Sequence, residues 1–217
     1  MKIKVITAYD KNYDNMFDAN HAILSNYCYK HGYQLFIKKI ESFDRPAPWY
    51  KIQAILQEMN DDCDYIFWMD ADTLILNMEQ KIEDLLDDTN YLFISQDKFS
   101  INSGIFCVKN NLYMIDFLHK VYDLYSIYNE YHPLGGVYEQ SAILHLLQYN
   151  YNNIRSYLRV FDGPITNAYD PETKPAYVQN YVSNKSFILH TPNTKPDSIR
   201  SKVIEKYISM YHQNNKD

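Results

Sequence analysis

The sequence predicts an α/β chain, a single domain in which a mixed, mostly parallel sheet is flanked by helices. Three observations carry that prediction. The chain opens with apolar strands alternating with amphipathic helices, in the strand–helix–strand–helix–strand order of a nucleotide-binding half. Tyr65-Ile66-Phe67-Trp68-Met69 is an unbroken apolar run, the pattern of a strand buried on both faces of a parallel sheet. Asp70-Ala71-Asp72 follows it with no linker, at the strand end where open α/β sheets bind ligands.

The elements follow in order. Lys2–Tyr9 reads as the first strand and 10–15 as a polar loop. Met16–His31 has helical spacing, with Phe17, Ile23, Leu24 and Tyr27 inward and Gly32 as the stop. Gln34–Ile40 is a second strand. Arg45-Pro46-Ala47-Pro48 breaks the chain before a helix over Trp49–Met59, with Ile52, Ile55 and Leu56 on one side. After the acidic strand end, Tyr91–Ser95 and Ile101–Val108 read as strands around a loop holding Asn102-Ser103-Gly104. Asn111–Tyr128 is a long helix with a stripe of Ile115, Leu118, Val121, Tyr122 and Tyr125. A turn-rich loop at 132–136 precedes a helix over Val137–Tyr149. The chain is then irregular until a strand at Ser186–Leu189 that ends on His190, and Asp197 caps a last helix reaching about His212. No linker divides the chain, so residues 1–217 are read as one domain. About 1–100 read as its nucleotide-binding half, and about 101–217 as a second half of different character.

Composition narrows the functional classes. At 217 residues and 46% hydrophobic content, the chain can bury a real core. A net charge of −6 and a pI near 5.6, with no basic run longer than Lys38-Lys39, argue against a nucleic-acid binder. The 22 tyrosines suit a glycan-binding surface, yet Asn, Ile and Lys are also abundant, so compositional bias explains them equally well. Cys28, Cys63 and Cys107 match no zinc or redox spacing and read as buried free thiols in a reducing, cytoplasmic compartment. The first residues enter a strand without a signal-peptide core, and no stretch approaches the roughly 20 apolar residues of a membrane span.

Two acids one residue apart can both offer oxygen to a hard dication such as Mn²⁺ or Mg²⁺. Acids after strands also cap turns, but this pair's place after a buried strand favours a metal. A nucleophilic aspartate of the haloacid-dehalogenase kind fits less well. That pattern places Thr four residues past the first Asp, in the first strand, whereas Thr73 is three past Asp70 in the third strand. His190 at the end of Phe187-Ile188-Leu189 can complete a metal shell, and Lys195 shortly after it can meet phosphates. Lys51 near a helix N-terminus is unfavourable unless an anion is close. Glu139-Gln140 begins a helix, where the dipole alone already explains the Glu. Asn102 interrupts an apolar strand, and Gly104 permits a close approach.

In this order, Trp49-x-Lys51, Tyr65 through Asp70-Ala71-Asp72-Thr73, Asn102-Ser103-Gly104-Ile105-Phe106, Glu139-Gln140, and His190 with Lys195 form a recognisable set. Over roughly 2–195 the chain resembles the glycosyltransferase family that includes fungal α-mannosyl- and galactosyltransferases and plant xyloglucan xylosyltransferases. The resemblance implies a GT-A fold, with Mn²⁺ (or Mg²⁺) on Asp70, Asp72 and His190 and Lys195 on the diphosphate. It also implies Glu139 and Gln140 beside the transferred sugar and Asn102 facing the donor sugar or acceptor. Family members usually carry a membrane anchor, absent from this chain, and Thr191-Pro192-Asn193 replaces their glycine-containing ending. Both departures look like compact transferases of bacteria or large DNA viruses.

The expected reaction is transfer from a nucleotide-sugar, a UDP-sugar first and a GDP-sugar second, to a hydroxyl of an oligosaccharide or glycan acceptor. Thr7, Ala8 and Tyr9 would lie near the base or ribose, and Lys51, for which a phosphate or acidic partner is expected, and Ala71 are further nucleotide-sugar contacts. Inversion would need a carboxylate base, Glu139 or Asp97, and retention would place Gln140 beneath the sugar. A metal-dependent phosphohydrolase and a non-catalytic glycan-binding protein are the alternatives.

Overall fold

The computed structural model describes residues 1–59, 62–127, 137–173, 180–192, 194 and 197–214. The expected loop at 132–136, Asn193 and Lys195 lie outside the described residues. So does the end of the helix expected to reach Tyr128.

A six-stranded sheet forms the centre, in the order β2-β1-β3-β6-β5-β7. Its strands are β1 (Ile3–Tyr9), β2 (Gln34–Lys39), β3 (Tyr65–Met69), β5 (Leu92–Gln96), β6 (Ile101–Lys109) and β7 (Leu158–Val160). β1 pairs in parallel with β2 and β3, and β5 with β7, whereas β6 runs antiparallel to both of its neighbours. Only β6 is reversed. A second, two-stranded sheet joins β4 (Thr73–Ile75) to β8 (Ile188–His190).

Strand periodicity divides the core into two layers. Ile66 and Trp68 of β3 join Ile6, Phe106 and Val108 on the face covered by α2 (Tyr50–Glu58), α3 (Leu112–Asp123) and α4 (Tyr138–Gln148). Tyr65, Phe67 and Met69 join Val5 and Cys107 on the face covered by α1 (Asp14–His31), the β4–β8 pair and α6 (Asp197–Asn214). Both faces of β3 are therefore covered, which is why its sequence is apolar without alternation. Each large side chain so buried contributes about 1.5–3 kcal/mol. Cys28, Cys63 and Cys107 are buried free thiols. Among the described residues no helix is long and apolar enough to cross a membrane.

Several expectations need correction. The segment 10–15 is not one loop, because a 3-10 turn at Lys11–Tyr13 leads directly into α1. Asn102-Ser103-Gly104 lies inside β6 rather than in a loop. α3 ends at Asp123, where a 3-10 turn over Leu124–Ser126 takes over. Asn111 caps α3 by accepting from Met114 N at 2.8 Å. The stretch after α4 is more ordered than its composition suggested, with a 3-10 segment at Tyr151–Tyr157, β7, and α5 (Gly163–Thr166). Gly32 does terminate α1, in the left-handed region at φ 71°.

Reversal of β6 brings its first residues to the carboxyl end of β3, with Met69 opposite Ile105 and Asp70 N donating to Gly104 O at 2.8 Å. β8 arrives at the same end because Thr73 pairs with His190. The histidine fits there only because Gly104 has no side chain. A Cβ at Gly104 would lie 2.3 Å from His190 Cε1 and 2.9 Å from its Nε2. Gly104→Ala is therefore expected to reduce the unfolding free energy by about 1–3 kcal/mol, the usual cost of overpacking. Denaturant titration measures it, and an unmoved midpoint would mean that the imidazole does not fill this space.

Candidate active site and metal centre

Asp70 stands where β3 gives way to a tight turn. The turn is closed by Thr73, whose backbone N and Oγ1 donate to Asp70 O at 3.2 and 2.7 Å. Asn20 of α1, buried beneath it, donates to Ala71 O at 3.1 Å and Thr73 O at 2.8 Å. Thr191 secures the other side by donating its backbone N and Oγ1 to Asp72 O, each at 3.0 Å. The two carboxylates are thus presented by a turn whose carbonyls are engaged from α1 and from the end of β8.

One ligand atom each from Asp70, Asp72 and His190 lies within 4.8 Å of the others. Two carboxylate oxygens and an imidazole nitrogen suit Mn²⁺ or Mg²⁺. Asp72 Oδ1 is 3.3 Å from His190 Nε2, and Arg200 Nε approaches Asp72 Oδ2 at 3.9 Å. Burial opposes charge on Asp72, but His190, when its ring carries the imidazolium charge, and then Arg200 outweigh it and hold the carboxyl below the ordinary Asp range. Asp72 is therefore ionised and ready to ligate at neutral pH.

Asp70 Oδ1 accepts from Trp68 Nε1 at 2.7 Å and lies 2.9 Å from Lys51 Nζ, which orients the carboxylate and leaves Oδ2 free of those bonds. Lys51 is buried, and its ammonium also reaches Glu139 Oε1 at 2.8 Å and Ser103 O at 3.0 Å. Burial works against its charge, yet Asp70 and Glu139 raise its pKa well above the ordinary Lys value. All three of its donors are occupied by this chain's own acceptors. Asp70 and Glu139 are thus acidic partners of the kind that its helix position called for.

Glu139 is pushed up by burial, against the pull of Lys51. Its Oε1 also accepts from Ser103 Oγ at 2.8 Å, and its Oε2 is buried without a partner among the described residues. Gln140 Oε1 accepts from Ser103 N at 3.0 Å. Tyr138, just before this pair, has φ 51°, a strained conformation for a residue with a side chain and one typical of functional sites. Asn102 Oδ1 accepts from Gly104 N at 2.9 Å, beside the His190 ring.

A cleft of about 290 Å³ opens next to the cluster. Ala8, Ile40 and Pro48 supply apolar wall, Tyr9, Tyr13, Tyr50 and Trp68 supply rings, and Lys51, Asp70 and Asp72 form its charged end. Ala71 lines it as well. Thr7 does not. It is buried on the α1 side, beside Phe17, Asn20 and Leu24, because successive strand residues face opposite ways. Asp97 sits in the β5–β6 turn, where Oδ1 accepts from Phe99 N at 2.8 Å and Ser100 N at 3.0 Å. Asn20, Ser103, Asn167 and Arg200 were missed from sequence. Only Ser103, inside the Asn-Ser-Gly motif, carried a signal that could have found it.

The galactosyl transferase GMA12/MNN10 family matches residues 3–92 and 87–192. A relative from Schizosaccharomyces pombe, named as an uncharacterized alpha-1,2-galactosyltransferase, is 25% identical over 196 residues. That match covers 70% of this chain and 50% of the relative, so the chain spans about half the relative's length. Among solved structures, a glycosyltransferase involved in glycosylation of the major capsid of PBCV-1 superposes with a TM-score of 0.73 at 16% identity, covering 95% of this chain and 100% of that one. The galactosyltransferase LgtC, solved with donor and acceptor sugar analogs, gives a TM-score of 0.60 at 10% identity, with 95% of each chain covered. GlyE of Streptococcus pneumoniae gives 0.62 at 16% identity, over 95% of this chain and 61% of that one. These likenesses establish a GT-A glycosyltransferase fold. With the family match spanning most of its length, the chain belongs to the galactosyl transferase GMA12/MNN10 family.

Proposed function

We propose that this glycosyltransferase moves a sugar from a nucleotide-sugar to a hydroxyl of an oligosaccharide or glycan acceptor, with Mn²⁺ or Mg²⁺ at Asp70, Asp72 and His190. The observation that carries the reading is the adjacency of that cluster to a ring-lined cleft. A UDP-sugar is the first donor to test and a GDP-sugar the second. A hexose is favoured by the relative named as a galactosyltransferase. Family membership favours transfer over a phosphohydrolase or a non-catalytic glycan-binding protein.

Each group has a task in this scheme. Tyr9, Tyr13, Tyr50 and Trp68, with Ala8, Ile40 and Pro48, are suited to a base and ribose. Asp70, Asp72 and His190 hold the dication, which when bound neutralises the charge that builds on the diphosphate leaving group. Lys51 orients Asp70 by its contact with Oδ1, and Arg200 favours the ionised form of Asp72. Ser103 fixes Glu139 and Gln140 through their Oε1 atoms, which leaves Glu139 Oε2 and the Gln140 amide nitrogen for the donor sugar. Asn102 lies at the β6 start as a further sugar contact. Glu139 rather than Asp97 is the carboxylate joined to the cluster, since Asp97 serves its turn. As the acceptor oxygen bonds to the anomeric carbon, the bond to the diphosphate breaks and the hydroxyl proton leaves to a base. Lys195 is retained as a diphosphate contact on the resemblance alone.

The cleft draws on residues 8–72, so nucleotide binding is assigned to about 1–100 and the acceptor side to about 101–217. Three buried free thiols fit a reducing, cytoplasmic compartment.

Calorimetry with UDP- and GDP-sugars in the presence of Mn²⁺ is expected to show one binding class, lost with EDTA. Binding indifferent to EDTA would sink the metal reading. Asp72→Ala is expected to cut Mn²⁺-dependent donor turnover at least about 100-fold, as loss of a metal ligand or its support does, with the circular dichroism spectrum unchanged. An active variant would count against the scheme. Lys51→Met leaves two carboxylates facing each other and is expected to cost about 3–5 kcal/mol of stability at neutral pH. Part of that loss returns on acidification, because a carboxylate whose folded pKa is raised binds a proton more readily in the folded state. Unfolding titrations at two pH values measure both effects.

A further inference from the structure

His190 has two polar neighbours competing for its ring proton. Nδ1 lies 2.7 Å from Asn167 Oδ1, and Nε2 lies 3.3 Å from Asp72 Oδ1. A neutral imidazole has one N–H to give, and the nitrogen that gives it cannot ligate a metal. If Asp72 took the proton, it would fall on Nε2, the nitrogen that faces the carboxylates. If Asn167 takes it, Nε2 keeps its lone pair. Which acceptor prevails decides whether the cluster is armed.

The orientation of the Asn167 amide answers the question. Asn167 is fully buried, and its Nδ2 donates to the backbone carbonyl of Gln96 at 3.1 Å and to Tyr169 Oη at 2.8 Å. Tyr169 could serve either orientation, but a carbonyl only accepts. Flipping the amide would set Oδ1 against Gln96 O and put an N–H against Nδ1. Gln96 O is held in turn, since Asn180 Nδ2 also donates to it at 3.0 Å. The backbone positions are secured as well, with Asn167 N donating to Gly163 O at 2.7 Å and His190 N to Ala168 O at 2.8 Å.

We propose that Asn167 is a positioning residue that holds the His190 proton on Nδ1, so that Nε2 is kept as the ligand atom for a divalent cation. The inference rests on the metal reading given above. Its consequence is that Nε2 and Asp72 Oδ1 are two acceptors at 3.3 Å, a pair that a cation between them would satisfy. An amide is suited to the task because it accepts the N–H without adding a third negative charge beside Asp70 and Asp72.

The test reads the proton directly. Long-range proton–nitrogen NMR on metal-free protein with ¹⁵N-labelled histidine, at alkaline pH, is expected to show His190 Nδ1 protonated. A bare Nδ1 in the wild-type protein would overturn the proposal, whatever any variant does. Asn167→Leu is expected to move the proton toward Nε2 and to weaken Mn²⁺ binding, read by calorimetry, by about 10–100-fold. Asn167→Asp, which retains an acceptor, is expected to restore the Nδ1 proton. An Asn167→Leu protein that is folded and keeps both the wild-type tautomer and its Mn²⁺ affinity would also overturn it. The tautomer is read without metal. A protonated Nδ1 alongside absent Mn²⁺ binding would therefore count against the metal reading while upholding Asn167 as the group that places the proton.

Discussion

The ammonium of Lys51, buried between Asp70 and Glu139, ties together four segments at this end of the sheet. It extends from the first turn of α2 and reaches the end of β3, the carbonyl of Ser103 in β6 and the start of α4. A buried cation without such partners would be prohibitively costly, and so would the buried Glu139 carboxylate beside the partly exposed Asp70 without a cation. Each side of the arrangement therefore needs the other. The interaction specifies geometry more than it adds stability, because desolvating three charged groups consumes much of what their attraction returns.

The charge pattern divides the site into two arms that meet at the Asp70–Asp72–His190 cluster. In one arm Lys51 and Trp68 occupy one oxygen of Asp70. In the other, Arg200 approaches one oxygen of Asp72, while Asn167 engages the far nitrogen of His190. The atoms that could ligate a cation are thus supported from behind by other groups, which is how metal sites commonly fix orientation. Ser103 adds a third anchor by engaging Glu139 and Gln140 together. Gly104 makes the assembly possible by omission, since any side chain there would occupy the volume of the imidazole.

Much of this was legible before the structure. The five-residue apolar run located β3 to the residue, because a strand covered on both faces cannot alternate. Pattern also placed α1, α2 and α4 to within a few residues. It failed where stabilisation is not periodic. β4, β7 and α5 are three or four residues long and owe their form to neighbours already in place. Thr7 illustrates a different limit. Membership of a strand was readable, but not which face looks into the cleft.

What the sequence by itself determined is the set of chemical groups and their attachment to strand ends: paired acids after a buried strand, and a histidine closing a distant one. Those follow from local patterning and from the covalent order of the chain. What only the tertiary structure decided is how those groups are used. That Lys51 serves Asp70 and Glu139, and that Asn167 and His190 share a proton, depends on contacts between residues 19 to 88 positions apart. Such pairings arise when the reversed strand β6 and the β4–β8 pair are packed against the sheet. Their reason is the cost of burying unpaired polar groups, a constraint that acts only once the chain has folded.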